Sequence, residues 1–273
     1  MHPNQLWQLM AKTYLLTLSF FFISITVFAQ QKNKFITGMY LQWGYNTEWY
    51  TKSTIHVNDV VDGVPYNFTL YKVKAHDRSD LDAIVEKPIE ITVPQYNYRI
   101  GFYLNKTKTK AIEINFDHAK YIVYNNQLLH AKGQIGNTVF DTDTAFTVNQ
   151  FHLEHTNGAN FYQLNYVRQY ELMAKNNRPV FTALWKAGAG IVIPKTDITL
   201  NNKRIDNRFH TAGYCIGVEG GARWYFAKKW FLEGMGKTGF VNYTNSLAVG
   251  NGKVNHYFGY VELIGLVGYD INF

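Results

Sequence analysis

The chain ends in YVELIGLVGYDINF (260–273), where large apolar side chains alternate with small, polar or acidic ones up to the terminal Phe273. A period of two is the mark of a strand whose two faces meet different surroundings. Leu263, Val267, Tyr269 and Phe273 share one face, while Glu262 and Asp270 share the other. Such a strand asks for oil on one side and for water or protein on the other.

Working outward, the same alternation recurs in eight stretches, at about 35–50, 92–105, 111–124, 160–172, 180–193, 210–226, 229–243 and 254–273. Each is long enough for a tilted strand to cross a bilayer, which takes about 9–11 residues. In the first, Met39, Leu41, Trp43, Tyr45 and Trp49 fall on one face, and Gly38, Gln42, Gly44, Asn46 and Glu48 on the other. The connections alternate in length. Those after the second, fourth and sixth stretches are short, NKTKTK (105–110), MAKNNRP (173–179) and AKK (227–229), while those after the odd ones run to about 41, 35, 16 and 10 residues. Short turns at one end and long loops at the other are the pattern of an outer-membrane barrel, and so are aromatic girdles; Phe, Trp and Tyr make up 16% of this chain. A soluble eight-stranded barrel is the competing reading of the alternation.

Composition sets the compartment. Residues 1–29 read as a secretory signal, with Lys12 ahead of the apolar run TYLLTLSFFFISITVFA and a small-residue pattern at Val27-Phe28-Ala29; an uncleaved anchor is the alternative. Without them, 27 basic residues less Lys12 leaves 26 against 20 acidic ones, a net charge of +6. For an exported chain this mild excess suits lysines in turns and at a rim better than nucleic-acid binding. Cys215 is the single cysteine, so no internal disulfide can form. Residues 30–273 contain no linker-like stretch and read as one all-β domain.

On these features the chain resembles the small OmpA-like eight-stranded outer-membrane β-barrel proteins. The stretches YNYRIGFYLN, AIEINFDHAKYIV and FHLEHTNGANFYQLNY, with the terminal YDINF, extend that resemblance to a wider group of outer-membrane barrel proteins. It implies an eight-stranded antiparallel up-and-down transmembrane barrel in the cell outer membrane, with long extracellular loops. It also implies monomeric assembly among outer-membrane lipids and lipopolysaccharide, and recognition of the strand ending at Phe273 by the barrel-assembly machinery. No cofactor and no catalytic residue come with it.

An eight-stranded barrel is just wide enough inside for side chains to fill it or for one small ligand. Polar groups pointing inward must therefore satisfy one another. The short AKK turn predicts a pairing in which opposed residue numbers sum to about 456, setting Glu219 against Lys237 and Arg223 against Glu233. A sum of 216 across NKTKTK sets Arg99 against Asp117, with Glu113, Lys186 and Glu262 joining the network. Such a lumen is either a salt-bridged plug or a charge-lined pore, and barrel size favours the plug. His118 and Lys120 break the apolar parity of the third stretch. Snorkelling explains the lysine, and contact with lipopolysaccharide phosphate is the sharper alternative.

The long connections hold hairpin signals at VVDGVP (60–65) and QIGNTVF (134–140), and residues 148–159 are expected to prolong the fourth strand, with Gly158 at a bulge or turn. Catalysis has little support. After the leader only Ser53, Ser79 and Ser246 remain as serines, none in a Gly-x-Ser-x-Gly context. His155-Thr156-Asn157 is the nearest likeness to a lipid A deacylase motif, with Asn where the serine nucleophile belongs. No metal site is expected: His152 and His155 fall on opposite faces of a strand, DTDTAF (141–146) reads as a solvated loop, and Gly188 and Gly190 as space inside the barrel.

Overall fold

A computed structural model describes residues 35–79, 95–155 and 158–273; the leader expected over residues 1–29 lies outside the described residues. The first strands are β1 (Gly38–Tyr50), β2 (Ser53–Val61), β3 (Val64–Val73), β4 (Ala75–His76), β5 (Asn97–Tyr103) and β6 (Lys110–Asp117). Then come β7 (Tyr121–Val123), β8 (Leu128–Ile135), β9 (Thr138–Ala145), β10 (Phe151–His155), β11 (Phe161–Lys175) and β12 (Arg178–Val192). The last are β13 (Lys195–Leu200), β14 (Lys203–Phe209), β15 (Gly213–Trp224), β16 (Trp230–Leu247) and β17 (Lys253–Asn272).

Eight of these, β1, β5, β6, β11, β12, β15, β16 and β17, hydrogen-bond antiparallel in that order, and β17 returns to pair with β1 from Gly38↔Asn272 to Tyr50↔Tyr260. They correspond to the eight stretches picked out by alternation, but the second and third are shorter than expected, at 7 and 8 residues. The third also splits, since β6 ends at Asp117 and Tyr121–Val123 form β7 outside the ring. The parity of the closing strand is as read: Glu262 and Asp270 are buried while Leu263 and Phe273 are exposed. Closure pairs each ring strand on both sides, although β1 beyond Gly44 is paired only with β17.

At one end the ring is closed by short connections. Asn176 and Asn177 both take left-handed φ, 52° and 56°, between Lys175 and its partner Arg178. That two-residue turn matches the twist of its strands. The 104–109 connection is wider. Asn105 caps it, accepting the Lys110 N–H through Oδ1 at 3.1 Å and donating through Nδ2 to Thr107 and Thr109 at 2.7 Å each. The result corrects the expected register: β5 and β6 pair with a sum of 214, so Arg99 faces Asn115, and Asp117 faces Asn97. An irregular six-residue loop does not fix register as a two-residue turn does.

At the other end the long connections are folded. β17 runs past the ring and pairs through Lys253–Tyr257 with β2, which continues the sheet as β2-β3-β8-β9. A second sheet stands in the order β14-β13-β10-β7-β4. The expected hairpins form: Asp62 and Gly63, with φ of 53° and 78°, turn β2 into β3, and Gly136, at 59°, turns β8 into β9. One expectation fails. Residues 151–155 do not prolong the fourth ring strand but form β10 of the second sheet, because Gly158 and Asn160, at φ of 118° and 42°, turn the chain before β11 begins.

The two sheets close over one apolar core. Ile55, Phe68 and Leu70 of the first meet Phe151, Leu153 and Ile198 of the second, and the cluster runs down onto Phe161, Val241 and Phe258 at the top of the ring. Each such side chain contributes about 1.5–3 kcal/mol on burial, so this cap is held as a domain core is held.

Candidate functional site

The ring's interior is layered. Toward the short turns lie Tyr40, Tyr103, Val167, Leu184, Phe231 and Leu266, all buried. Above them comes a belt of buried charge, and above that the aromatic base of the cap.

Every residue expected in the lumen is buried, with Arg223 reaching among the aromatic rings of the lower layer. Arg99 reaches Asp117 diagonally, Nη1 to Oδ1 at 2.5 Å, while two-residue offsets remain within reach of a long side chain. Arg223 donates to Glu233 at 2.8 Å from Nε and lies 2.7 Å away through Nη2, in the register expected. Glu219 and Lys237 are also register partners, but their closest approach is 3.8 Å. Lys237 instead donates to Asp117. Glu219 stands among three cations, at 3.9 Å from Arg99, 3.7 Å from Lys186 and 3.8 Å from Lys237. Lys186 bridges Glu113 and Glu233, at 2.9 Å to each. Tyr40 closes Glu113 with a 2.6 Å hydrogen bond.

These contacts are not all between neighbouring strands. Three strands separate β6 from β16 in the ring, so the Lys237–Asp117 pair crosses the lumen, and Arg99 of β5 crosses toward Glu219 of β15. At that level side chains from opposite walls meet across the ring. Desolvation offsets much of the attraction in such a network, so its main effect is to make loss of any single member costly.

The outward face is its complement. Leu41, Ile114, Leu164, Trp185, Ile216, Val218, Leu232, Val261 and Leu263 are exposed in a band around the ring. Aromatic residues gather at its borders, with Trp224, Trp230 and Tyr170 toward the short turns and Tyr162, Tyr214 and Tyr257 toward the cap. His118 lies just beyond β6 on this face, stacked on Tyr96 at 4.7 Å with the rings 4° apart, and its Nδ1 is 2.9 Å from Asn160 Oδ1. Lys120 follows on the same parity, its backbone carbonyl accepting from Tyr50 Oη at 2.7 Å.

Where cap meets ring there is a cluster the sequence did not reveal. His155 and His256 are both buried with their Nε2 atoms 3.0 Å apart, and Tyr243 stacks on each at 4.7 Å. Thr196 Oγ1 lies 3.2 Å from His155 Nδ1, while His256 Nδ1 has no hydrogen-bond partner. The partners assign the protons. His256 donates from Nε2 and His155 from Nδ1, because the reverse would bury an unpaired N–H rather than an unpaired lone pair. Ser53 and Ser246 are buried, and neither hydroxyl is hydrogen-bonded to a histidine. Thr156 and Asn157 lie outside the described residues. His130, on the exposed β8, pairs with Asp141 at 3.1 Å and Asp143 at 2.9 Å.

Burial holds His155 down to about 3, against the opposing pull of Glu154. An unfolded histidine titrates near 6.5, so the neutral ring stabilises the cap fully above that pH and progressively less as pH falls toward the folded value. The cap should therefore be cleaved faster by protease at a pH of about 5 than at neutrality, with His155→Gln losing much of the difference. Equal rates for the native protein would show that the pair does not govern cap opening.

No family model matches the sequence, and neither does any curated protein. Among solved structures the chain is similar to the outer membrane protein OprG from Pseudomonas aeruginosa, at 12% identity over 87% of this chain and 98% of that one, with a TM-score of 0.43. Neisserial surface protein A matches at 11% identity, over 85% and 96%, with a TM-score of 0.36. The Ail protein of Yersinia pestis matches at 8% identity, over 84% and 99%, with a TM-score of 0.31. No residue role passes from any of them to this chain.

Proposed function

We propose that the chain is an integral outer-membrane β-barrel with a side-chain-filled lumen, whose folded cap serves as a non-enzymatic structural or binding surface. The supporting observation is the joint placement of charge and oil: ion pairs spanning the lumen inside, and an apolar band with aromatic borders outside. In this reading the short turns face the periplasm and the cap faces outward. Lipopolysaccharide surrounds the cap-side rim where His118 and Lys120 lie, the assembly machinery reads the strand ending at Phe273, and the protein works as a monomer. A rigid ring presenting a packed, multi-stranded cap is suited to recognition. A narrow channel or carrier for small hydrophobic ligands would need a route that the lumen pairs obstruct, and a lipid hydrolase would need a serine presented to a base.

The protein should fractionate with the outer membrane, migrate differently on gels before and after boiling, and give no steady conductance in planar bilayers. Recovery as a soluble periplasmic protein would sink the membrane reading, and a stable open conductance would sink the filled lumen.

A further inference from the structure

At the short-turn end the ring does not finish flush. The 104–109 connection, the Asn176-Asn177 hairpin and the 225–229 connection rise around a cavity of about 740 Å³. Its wall carries Lys106, Lys108, Lys175, Arg178, Lys228 and Lys229, against Glu171 and Asp270, so six cations less two carboxylates leave a charge of +4. Asp270 is already engaged, accepting from Lys108 Nζ at 2.6 Å and from Tyr103 Oη at 2.8 Å. Among the described residues the other five cations have no carboxylate within ion-pair distance.

A second feature is independent of charge. Gln169 and Thr182, from adjacent strands β11 and β12, line the same cavity while remaining only 4% exposed, and neither Gln169 Nε2 nor Thr182 Oγ1 has a hydrogen-bond partner. Buried donors are seldom left unmatched. Here two of them belong to residues on the floor of a cationic vestibule, where each can turn toward an oxyanion that enters it.

We propose that this vestibule binds a compact polyanion carrying two or more phosphate groups. Lysine serves as a point charge for phosphate, and converging like charges raise the local concentration of an anion. The volume lies in the range of small-molecule sites, roughly 300–1,000 Å³, and one inorganic anion would leave most of it empty. The phosphates belong either to a soluble phosphorylated molecule or to lipid headgroups at that end of the ring.

Inorganic tripolyphosphate, titrated calorimetrically into the full-length protein refolded in an amine-oxide detergent, should bind saturably at one site per chain. Lys175→Glu with Arg178→Glu should weaken binding at least about tenfold. Gln169→Ala with Thr182→Val should weaken it severalfold while the gel shift on boiling is retained. Unsaturable heat, or loss with the charge reversals but none with the floor substitutions, would mean diffuse attraction to basic turns and overturn the site. Lysine acetylation of the unsubstituted protein tests it without variants: tripolyphosphate should protect Lys106, Lys175 and Lys228 but not Lys132 and Lys203 of the cap, and uniform or absent protection would refute it. Replacing phosphatidylcholine by phosphatidylglycerol in nanodiscs separates the sources. Blocked tripolyphosphate binding assigns the vestibule to headgroups, and retained binding assigns it to a soluble ligand.

Discussion

Truncating Arg223 to Met should lower the unfolding free energy of the refolded protein by about 3–5 kcal/mol, the cost of leaving a buried charge without its partner. The guanidinium lies 2.7 Å from Glu233, donates to Tyr103 Oη at 3.0 Å and sits 3.9 Å from the centre of the Phe231 ring. Its loss strips all three contacts at once. Glu233 would keep only Lys186, which Glu113 also claims. Neutralising the carboxylate as well, in Arg223→Met with Glu233→Gln, should recover part of the loss, because the coupling belongs to the pair. Urea unfolding followed by tryptophan fluorescence measures both. A single-variant cost below about 1 kcal/mol, or strict additivity in the double variant, would mean that the belt is hydrated and that ion pairs do not fill the lumen.

That pair could be read from the sequence because its strands are joined by a short turn, which fixes register, and because parity then sets the face. Arg99 and Asp117 also meet, but by a diagonal reach, since an asparagine-capped loop shifted their strands by two residues. The contacts over the axis were beyond sequence reasoning. Whether Lys237 answers Glu219 beside it or Asp117 opposite depends on the ring's curvature, which no local pattern encodes. The cap was legible only in fragments. Asp62-Gly63 announced its hairpin, whereas Asn201-Asn202, which turn β13 into β14 at φ of 47° and 67°, lie in a connection where no turn was singled out. In the vestibule each lysine was visible in its own turn, but their convergence over Gln169 and Thr182 is a property of closure alone.

The solvent outside the ring is decided by a single outward residue. Leu263 lies midway between Tyr257 and Tyr269 on the exposed row of β17, and about half of its surface is open. If that row faces hydrocarbon, Leu263→Lys should cost about 2–4 kcal/mol, the penalty for lysine near a bilayer midplane. If it faces water, the same change should stay within about 0.5 kcal/mol, as surface substitutions do. The comparison with Leu266→Lys makes the result specific. Leu266 points inward into the apolar layer beside Tyr40 and Phe231, opposite Glu233, whose carboxylate Arg223 and Lys186 already occupy, so a lysine there is a surplus charge forced into a packed layer whichever solvent bathes the wall. Unfolding measured in lipid vesicles should therefore show both variants strongly destabilised if the ring spans a membrane, and Leu266→Lys alone if it does not. A tolerated lysine at 263 would overturn the membrane reading while leaving the fold and its register intact, because the alternation that places Leu263 outside is satisfied by either solvent and only the energetics of the charge can tell them apart.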